Sequence, residues 1–97
     1  MVIISKAILR EFGLLHPDAA EAINAWYQIV KAADWERLSD VRQAANSIDY
    51  VGNDRFVFNI KGNRYRLVVM IFFDIRTVFV RFVGTHSEYD KIEASTI

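Results

Sequence analysis

Apolar and polar residues alternate through the second half of the chain, and this pattern predicts three consecutive strands, over 55–60, 64–73 and 77–83. In the first strand one face carries Phe56, Phe58 and Ile60, and the other carries Arg55, Val57 and Asn59. The second strand is apolar on both faces over its second half, which is typical of a central strand.

Turn residues separate these strands. The Lys-Gly-Asn sequence at 61–63 is a hairpin signal, and 74–76 predicts the next turn. In the third strand Val78, Val80 and Phe82 should share one face, and Thr77, Phe79, Arg81 and Val83 the other. We expect Gly84 to end this strand, and the segment 86–97 to be a loop or a short helix.

The first half of the chain predicts one short strand, at 2–4, and then helices. We expect Ser5 to cap a helix that begins near Lys6, and Pro17 to be the first residue of a second helix. A third, short helix is expected to start near Ser39 or Asp40. We interpret the polar segment 47–54 as a connector in which Gly52 and Asn53 favour positive φ.

This order of elements predicts an α+β fold, with two to three N-terminal helices packed on a small, mainly antiparallel sheet. Its 97 residues, of which 53% are hydrophobic, are expected to form a single domain over 1–97. The chain contains no cysteine, so disulfides and thiolate metal sites are excluded. We expect a cytoplasmic protein, because we find neither a secretory signal nor an apolar run long enough to span a membrane.

The net charge of zero conceals a separation of charge. Between Arg55 and Arg81 six Lys/Arg residues face one acid, Asp74, which leaves +5. The rest of the chain has six Lys/Arg residues against eleven acids, which leaves −5. A basic sheet face favours a polyanionic substrate, with RNA as the leading candidate.

Four basic residues are candidates to hold a phosphate group. Arg64 and Arg66 are two apart, so we expect them on the same strand face, where Arg81 could join them and Lys61 lies at the adjacent turn. Arginine pairs with phosphate oxygens through two parallel hydrogen bonds. The alternative is that all four are solvated surface residues paired with acids from the helices.

Two residues beyond the last strand could move protons. His86 can act as an acid or a base near neutral pH, and Tyr89 can donate a proton or stack on a base. The alternative is a surface histidine, with a tyrosine packed beside Ile92 over the sheet edge. We interpret His16 as a helix cap or a surface residue.

Two segments carry a resemblance to a known family. VFNIKGNRYRLVVMIFF (57–73) and VRFVGTHSEYDKI (80–92) resemble the HigB toxins of type II toxin–antitoxin systems, a branch of the RelE-like ribonuclease fold. The resemblance implies an mRNA endonuclease that acts on translated messages at the ribosome without a metal or other cofactor. In such enzymes the ribose 2′-OH attacks its own 3′ phosphate, and a helix-turn-helix antitoxin, similar to HigA, neutralises the toxin.

The resemblance also implies roles for individual residues. Arg66 resembles the arginine that stabilises the phosphate, and Lys61 and Arg64 resemble the basic residues of the preceding hairpin. His86 and Tyr89 fall where the family places late catalytic side chains. Asn59 stands where relatives often have a lysine, so the general base and general acid stay open.

Two rival functions use the same residues. The first is a non-catalytic module that binds RNA or an acidic partner through the basic sheet face. The second is a decayed toxin that is retained as a partner-binding protein. Removal of both His86 and Tyr89 separates a binder, which would keep its biological effect, from a nuclease.

Overall fold

The computed structural model describes residues 1–45 and 47–97, and within them four α-helices accompany one five-stranded sheet. The elements are β1 (Val2–Ile4), α1 (Lys6–Leu15), α2 (Pro17–Ala32), α3 (Leu38–Ala44), β2 (Ile48–Gly52), β3 (Arg55–Ile60), β4 (Tyr65–Phe72), β5 (Thr77–Thr85) and α4 (His86–Tyr89). The strand order is β1-β5-β4-β3-β2, with β1 parallel to β5 and every other pair antiparallel. The predicted α+β class and mainly antiparallel sheet are confirmed.

Strand β4 lies in the middle of the sheet, as its apolar sequence predicts. Leu67, Val68 and Val69 are completely buried, so consecutive residues on both faces are covered. Leu67 and Val69 pack with the residues of α1, α2 and α3, and Val68 packs on the opposite face. Burying one such aliphatic side chain contributes about 1.5–3 kcal/mol, so this strand anchors both layers.

Helices α1 and α2 cover one side of the sheet, which we call the helix face. Pro17 is the first residue of α2, as predicted. The two helices approach each other at Gly13 and Ala20, where a Cβ added at Gly13 would lie in ordinary contact, 3.5 Å from Ala20 Cβ. The predicted cap is wrong: Ser5 adopts φ 69°, and its side chain makes no cap hydrogen bond. No helix in the described part of the chain is long and apolar enough to cross a membrane.

The segment 47–54 is not a simple connector, and that prediction is wrong. Residues 48–52 form β2, an edge strand that pairs with β3 and places Ile48 in the core. The polar residues that suggested a loop are tolerated because an edge strand exposes one side to water. The expected positive φ angles are present at Gly52 (94°) and Asn53 (51°), where the chain turns from β2 into β3.

Strand β5 differs from the prediction in two ways. It continues through Gly84 to Thr85. A bulge also interrupts its pairing with β4, because Val68 faces Phe82 while Val69 faces Val80. Because Arg81 is an extra residue, the side chains after it point to the opposite faces from those expected. Phe82 therefore packs beside Val68, away from the helices.

The C-terminal segment covers the other side of the sheet, which we call the tail face. Val57, Val68 and Ala94 form a small buried cluster there. Partly buried apolar residues pack around it: Val51, Phe82, Tyr89, Ile92 and Ile97. The segment after β5 begins with the short helix α4, consistent with the predicted loop or short helix, and this places His86 and Tyr89 beside the sheet.

Candidate active site

Three of the predicted site residues lie together on the tail face. The Arg66 guanidinium carbon is 4.9 Å from the centre of the Tyr89 ring, a cation–π contact. Arg66 Nε–H donates a hydrogen bond to His86 Nε2 at 3.4 Å. His86 Nε2 is thus the acceptor of this hydrogen bond. We call Arg66, His86 and Tyr89 the Arg66 cluster.

Local interactions hold α4 against this cluster. Thr85 and Glu88 form a capping box, in which the Thr85 main-chain N–H donates to Glu88 Oε1 at 2.8 Å and the Glu88 N–H donates to Thr85 Oγ1 at 3.2 Å. The main-chain hydrogen bond from Thr85 lowers the pKa of Glu88 below its ordinary value.

Gly84 allows α4 to lie close to the sheet. A Cβ at this position would come within 2.6 Å of Phe82 Cζ and 3.0 Å of Glu88 Oε1. Gly84 also pairs directly with Arg66 across β4 and β5. The absence of a side chain here leaves room for the Phe82 ring and for the Glu88 side chain of the helix cap.

Lys61 and Arg64 lie elsewhere, around the first turn of α2. Lys61 Nζ donates to the Asp18 main-chain oxygen at 2.9 Å, and Arg64 Nη1 is 3.2 Å from Asp18 Oδ2. The hydroxyl of Tyr65 donates to the same carboxylate at 2.7 and 2.8 Å. We call these four residues the Asp18 cluster.

The expectation that Arg64 and Arg66 share a strand face is therefore wrong. Arg64 belongs to the turn before β4 and bonds to a helix, while Arg66 lies within the strand on the tail face. The alternation rule holds only inside a strand, and the sequence does not show that β4 begins at Tyr65. The alternative noted for these cations, pairing with a helix acid, describes Lys61 and Arg64.

The Asp18 cluster predicts a specific acid sensitivity. The hydrogen bond from Tyr65, the largest contribution, lowers the pKa of Asp18 below 3.8. The hydrogen bond from Arg64 and the positive charges of Lys61 and Arg64 act in the same direction, against the effect of burial. Because the folded state favours the carboxylate, this stabilisation is present above pH 3.8 and is lost as the pH falls through the lower, folded pKa.

We therefore expect Asp18→Asn to lower the free energy of unfolding at pH 7, and the difference from wild type to shrink below pH 3.8. Urea unfolding at pH 7, 5 and 3 measures this. Asp74→Asn is the matched control, because it removes one charge from an exposed turn. An Asp18→Asn deficit that is equally large at pH 3 would show that the carboxylate charge is not what stabilises the cluster.

Arg81 lies on the tail face, as part of a third group. Its Nε donates to the main-chain oxygen of Ile97 at 3.3 Å, and Arg55 Nε and Nη2 donate to the same oxygen at 3.2 and 2.8 Å. One oxygen is thus held by two arginines from different strands. A site that gathers an oxygen atom in this way has the donor geometry that a phosphate oxygen also requires.

Three arginines of the tail face have no acidic side chain as a partner. Within residues 1–45 and 47–97, Arg55, Arg66 and Arg81 make no salt bridge with Asp or Glu. Arg76 is bound to Asp34 and Glu36, at 2.7 and 3.4 Å. The tail face therefore keeps the basic character expected of the sheet, whereas acids pair with Lys61, Arg64 and Arg76.

Asn59 and His16 make contacts that the sequence did not suggest. Asn59 lies directly opposite Arg66 on β3, and its Nδ2 donates to Ser47 Oγ. His16 lies at the predicted cap position between α1 and α2, where its main-chain N–H donates to the Phe12 oxygen at 2.8 Å, but its side chain makes no cap hydrogen bond. The half-buried ring instead stacks on Phe12 at 4.3 Å and meets Tyr65 at 5.4 Å. Strand register reveals the first position, whereas the second depends on how two helices cross.

Acidic and histidine side chains are dispersed in the described ranges. Across 1–45 and 47–97 no group of three or more His, Cys, Asp or Glu residues could hold a metal ion. Glu88, one of the acids beyond β5, is engaged in the cap of α4.

Comparison with known proteins gives one consistent family. Residues 19–92 match the family described as HigB toxin, RelE-like toxic component of a toxin–antitoxin system. The chain is 32% identical to the mRNA interferase HigB of Escherichia coli O6:H1 over 94 residues, which cover 95% of this chain and 91% of the relative. A shorter match, 38% identical over 59 residues, covers 61% of this chain and 56% of the mRNA interferase HigB of Shigella flexneri. Together with the α+β fold, these matches show that the chain belongs to the HigB family of RelE-like toxins of toxin–antitoxin systems.

Proposed function

We propose that this toxin is an endoribonuclease that cuts messenger RNA at the Arg66 cluster. The main support is that Arg66 contacts both His86 and Tyr89 on the tail face. The tail face also presents Arg55 and Arg81, which suits a polyanionic chain. The names of the relatives, mRNA interferase HigB, support the same activity.

We propose the following chemistry for these side chains. Arg66 turns its guanidinium to the scissile phosphate and stabilises the charge that develops in the transition state. This movement frees the His86 Nε2 lone pair, which accepts the proton of the ribose 2′-OH. The 2′ oxygen bonds to phosphorus, the P–O5′ bond breaks, and the 5′ oxygen takes a proton from water. The products are a 2′,3′-cyclic phosphate and a 5′-OH.

The other candidate site residues position Arg66 or bind the RNA. The Tyr89 ring fixes the plane of the Arg66 guanidinium and offers a stacking surface for a base. Arg81 binds a neighbouring phosphate when RNA replaces the Ile97 oxygen. Lys61 and Arg64 contact the RNA backbone farther from the scissile bond, since Asp18 already partly neutralises them.

We further propose that the substrate is mRNA under translation on the ribosome, in the cytoplasm. Family membership implies an antitoxin, and we propose that it is a helix-turn-helix protein similar to HigA. Analysis of the fragment ends tests the chemistry: polynucleotide kinase should label the 5′ ends without prior phosphatase treatment. Ends that carry a 5′ phosphate would contradict attack by the 2′-OH. Cleavage of naked mRNA as fast as translated mRNA would contradict the ribosomal site.

A further inference from the structure

A groove runs between α1 and α2, away from the Arg66 cluster. It encloses about 480 Å³, and its lining includes Leu9, Leu14, Ile23 and Tyr27. Leu9 and Ile23 are buried at its floor, whereas Leu14 is 76% exposed at its edge. An exposed leucine beside an apolar groove marks a surface that a partner can cover.

The rim of this groove is positively charged. Lys6 and Arg10 of α1 line it, and no Asp or Glu is among its lining residues in the described part of the chain. Lys6 and Lys31 lie 5.7 and 5.9 Å from the centre of the Tyr27 ring, so the same end of the groove holds two ammonium groups. An apolar floor with a cationic rim complements an amphipathic helix with acidic residues along its edges.

We propose that this groove docks the antitoxin, through an amphipathic helix whose acidic residues face Lys6 and Arg10. Membership in a toxin–antitoxin family supplies the existence of such a partner, and the groove supplies the chemistry. A ribosomal RNA would pair with the cations but leave Leu14 in water. A second copy of this chain would bring its own Lys6 and Arg10 against the same rim, which like charges disfavour.

Two neighbouring leucines give a matched test. Leu14 and Leu15 are exposed to almost the same extent, 76% and 79%, but only Leu14 lines the groove. Leu14→Glu places a carboxylate where the helix buries its apolar side, so we expect Kd for the full-length cognate antitoxin to rise about 10- to 100-fold. Leu15→Glu should change Kd by less than about threefold, since it adds the same charge outside the contact.

A third variant tests the rim. Arg10→Glu reverses one charge of the groove, and we expect it to slow association with the antitoxin by about tenfold at low salt, with a smaller effect at high salt. Titration calorimetry and surface plasmon resonance on the purified toxin measure Kd and association rate. Thermal unfolding by circular dichroism checks that each variant is folded.

Several results would overturn the groove assignment. They are wild-type affinity of Leu14→Glu, equal losses for Leu14→Glu and Leu15→Glu, or a wild-type dimer that only Leu14→Glu dissociates. RNA cleavage without antitoxin should be the same for wild type and all three variants, because the groove is separate from the Arg66 cluster. If the wild type fails to cut RNA, the proposed activity fails, but the antitoxin titrations still decide the role of the groove.

Discussion

Arg66→Ala is expected to abolish the growth arrest caused by this toxin while leaving the protein folded. The side chain is half-buried and contacts Tyr89 and His86, but the apolar residues around Val68 hold the tail face without it. Loss of a positioned donor to the phosphate slows comparable reactions by about 10²- to 10³-fold. A toxin slowed to this degree should no longer limit growth.

The measurement compares growth after induction at equal expression, with urea unfolding as the check on folding. Arg64→Ala is the control. It also removes an arginine close in sequence, but that arginine belongs to the Asp18 cluster and not to the Arg66 cluster. We expect Arg64→Ala to retain most of the toxicity. Growth arrest by Arg66→Ala at the wild-type rate would remove Arg66 from the site.

His86→Gln should separate proton transfer from binding. The glutamine side-chain oxygen can still accept the hydrogen bond from Arg66, but it does not take up a proton near neutral pH. Loss of a general base costs about 10²- to 10⁴-fold in rate. We therefore expect cleavage to fall by this factor while RNA affinity stays within about twofold.

Cleavage in a reconstituted translation reaction and binding to a non-cleavable RNA with a 2′-deoxy residue measure the two quantities. Ser87→Ala is a suitable control, because Ser87 is exposed on the same helix turn. If His86→Gln still cuts at the wild-type rate, His86 is not the base. If His86→Gln still arrests growth, and neither this variant nor the wild type cuts RNA, the non-catalytic binding module is the better account.

Much of the fold could be predicted because the chain is locally consistent. The alternation in β3 and the apolar run in β4 reflect the burial that these strands have in the sheet. Pro17 and the segment 61–63 fix the start of α2 and the hairpin through backbone restrictions that do not depend on tertiary contacts. Local rules therefore sufficed for these elements.

The errors arise where distant contacts decide the structure. Strand β2 exists because β3 offers it an edge, and the bulge at Arg81 depends on the pairing of β5 with β4. Neither partner is visible in the local pattern. The position of Phe82 on the tail face follows from that bulge, so an alternation rule applied without interruption assigned it to the wrong side.

The candidate site was predicted only in part, because some of its contacts also join distant parts of the chain. Arg66, His86 and Tyr89 come together because β4 pairs with β5, which sets Arg66 opposite Gly84, and because β5 leads directly into α4. Asp18 bonds to Lys61 and Arg64, which are more than forty positions away in the sequence. This pairing depends on the packing of α2 on the sheet, which the local sequence does not show. Charge counting located the basic region, but only the ion pairs show which cations remain available.

Primer extension on abundant transcripts, after controlled expression in a bacterium, tests the central claim most directly. Wild type and Arg64→Ala should give discrete cuts inside translated regions, and Arg66→Ala and His86→Gln should give none. Intact transcripts in cells that hold a folded wild-type toxin, or the same cuts with all four proteins, would contradict a ribonuclease site at the Arg66 cluster.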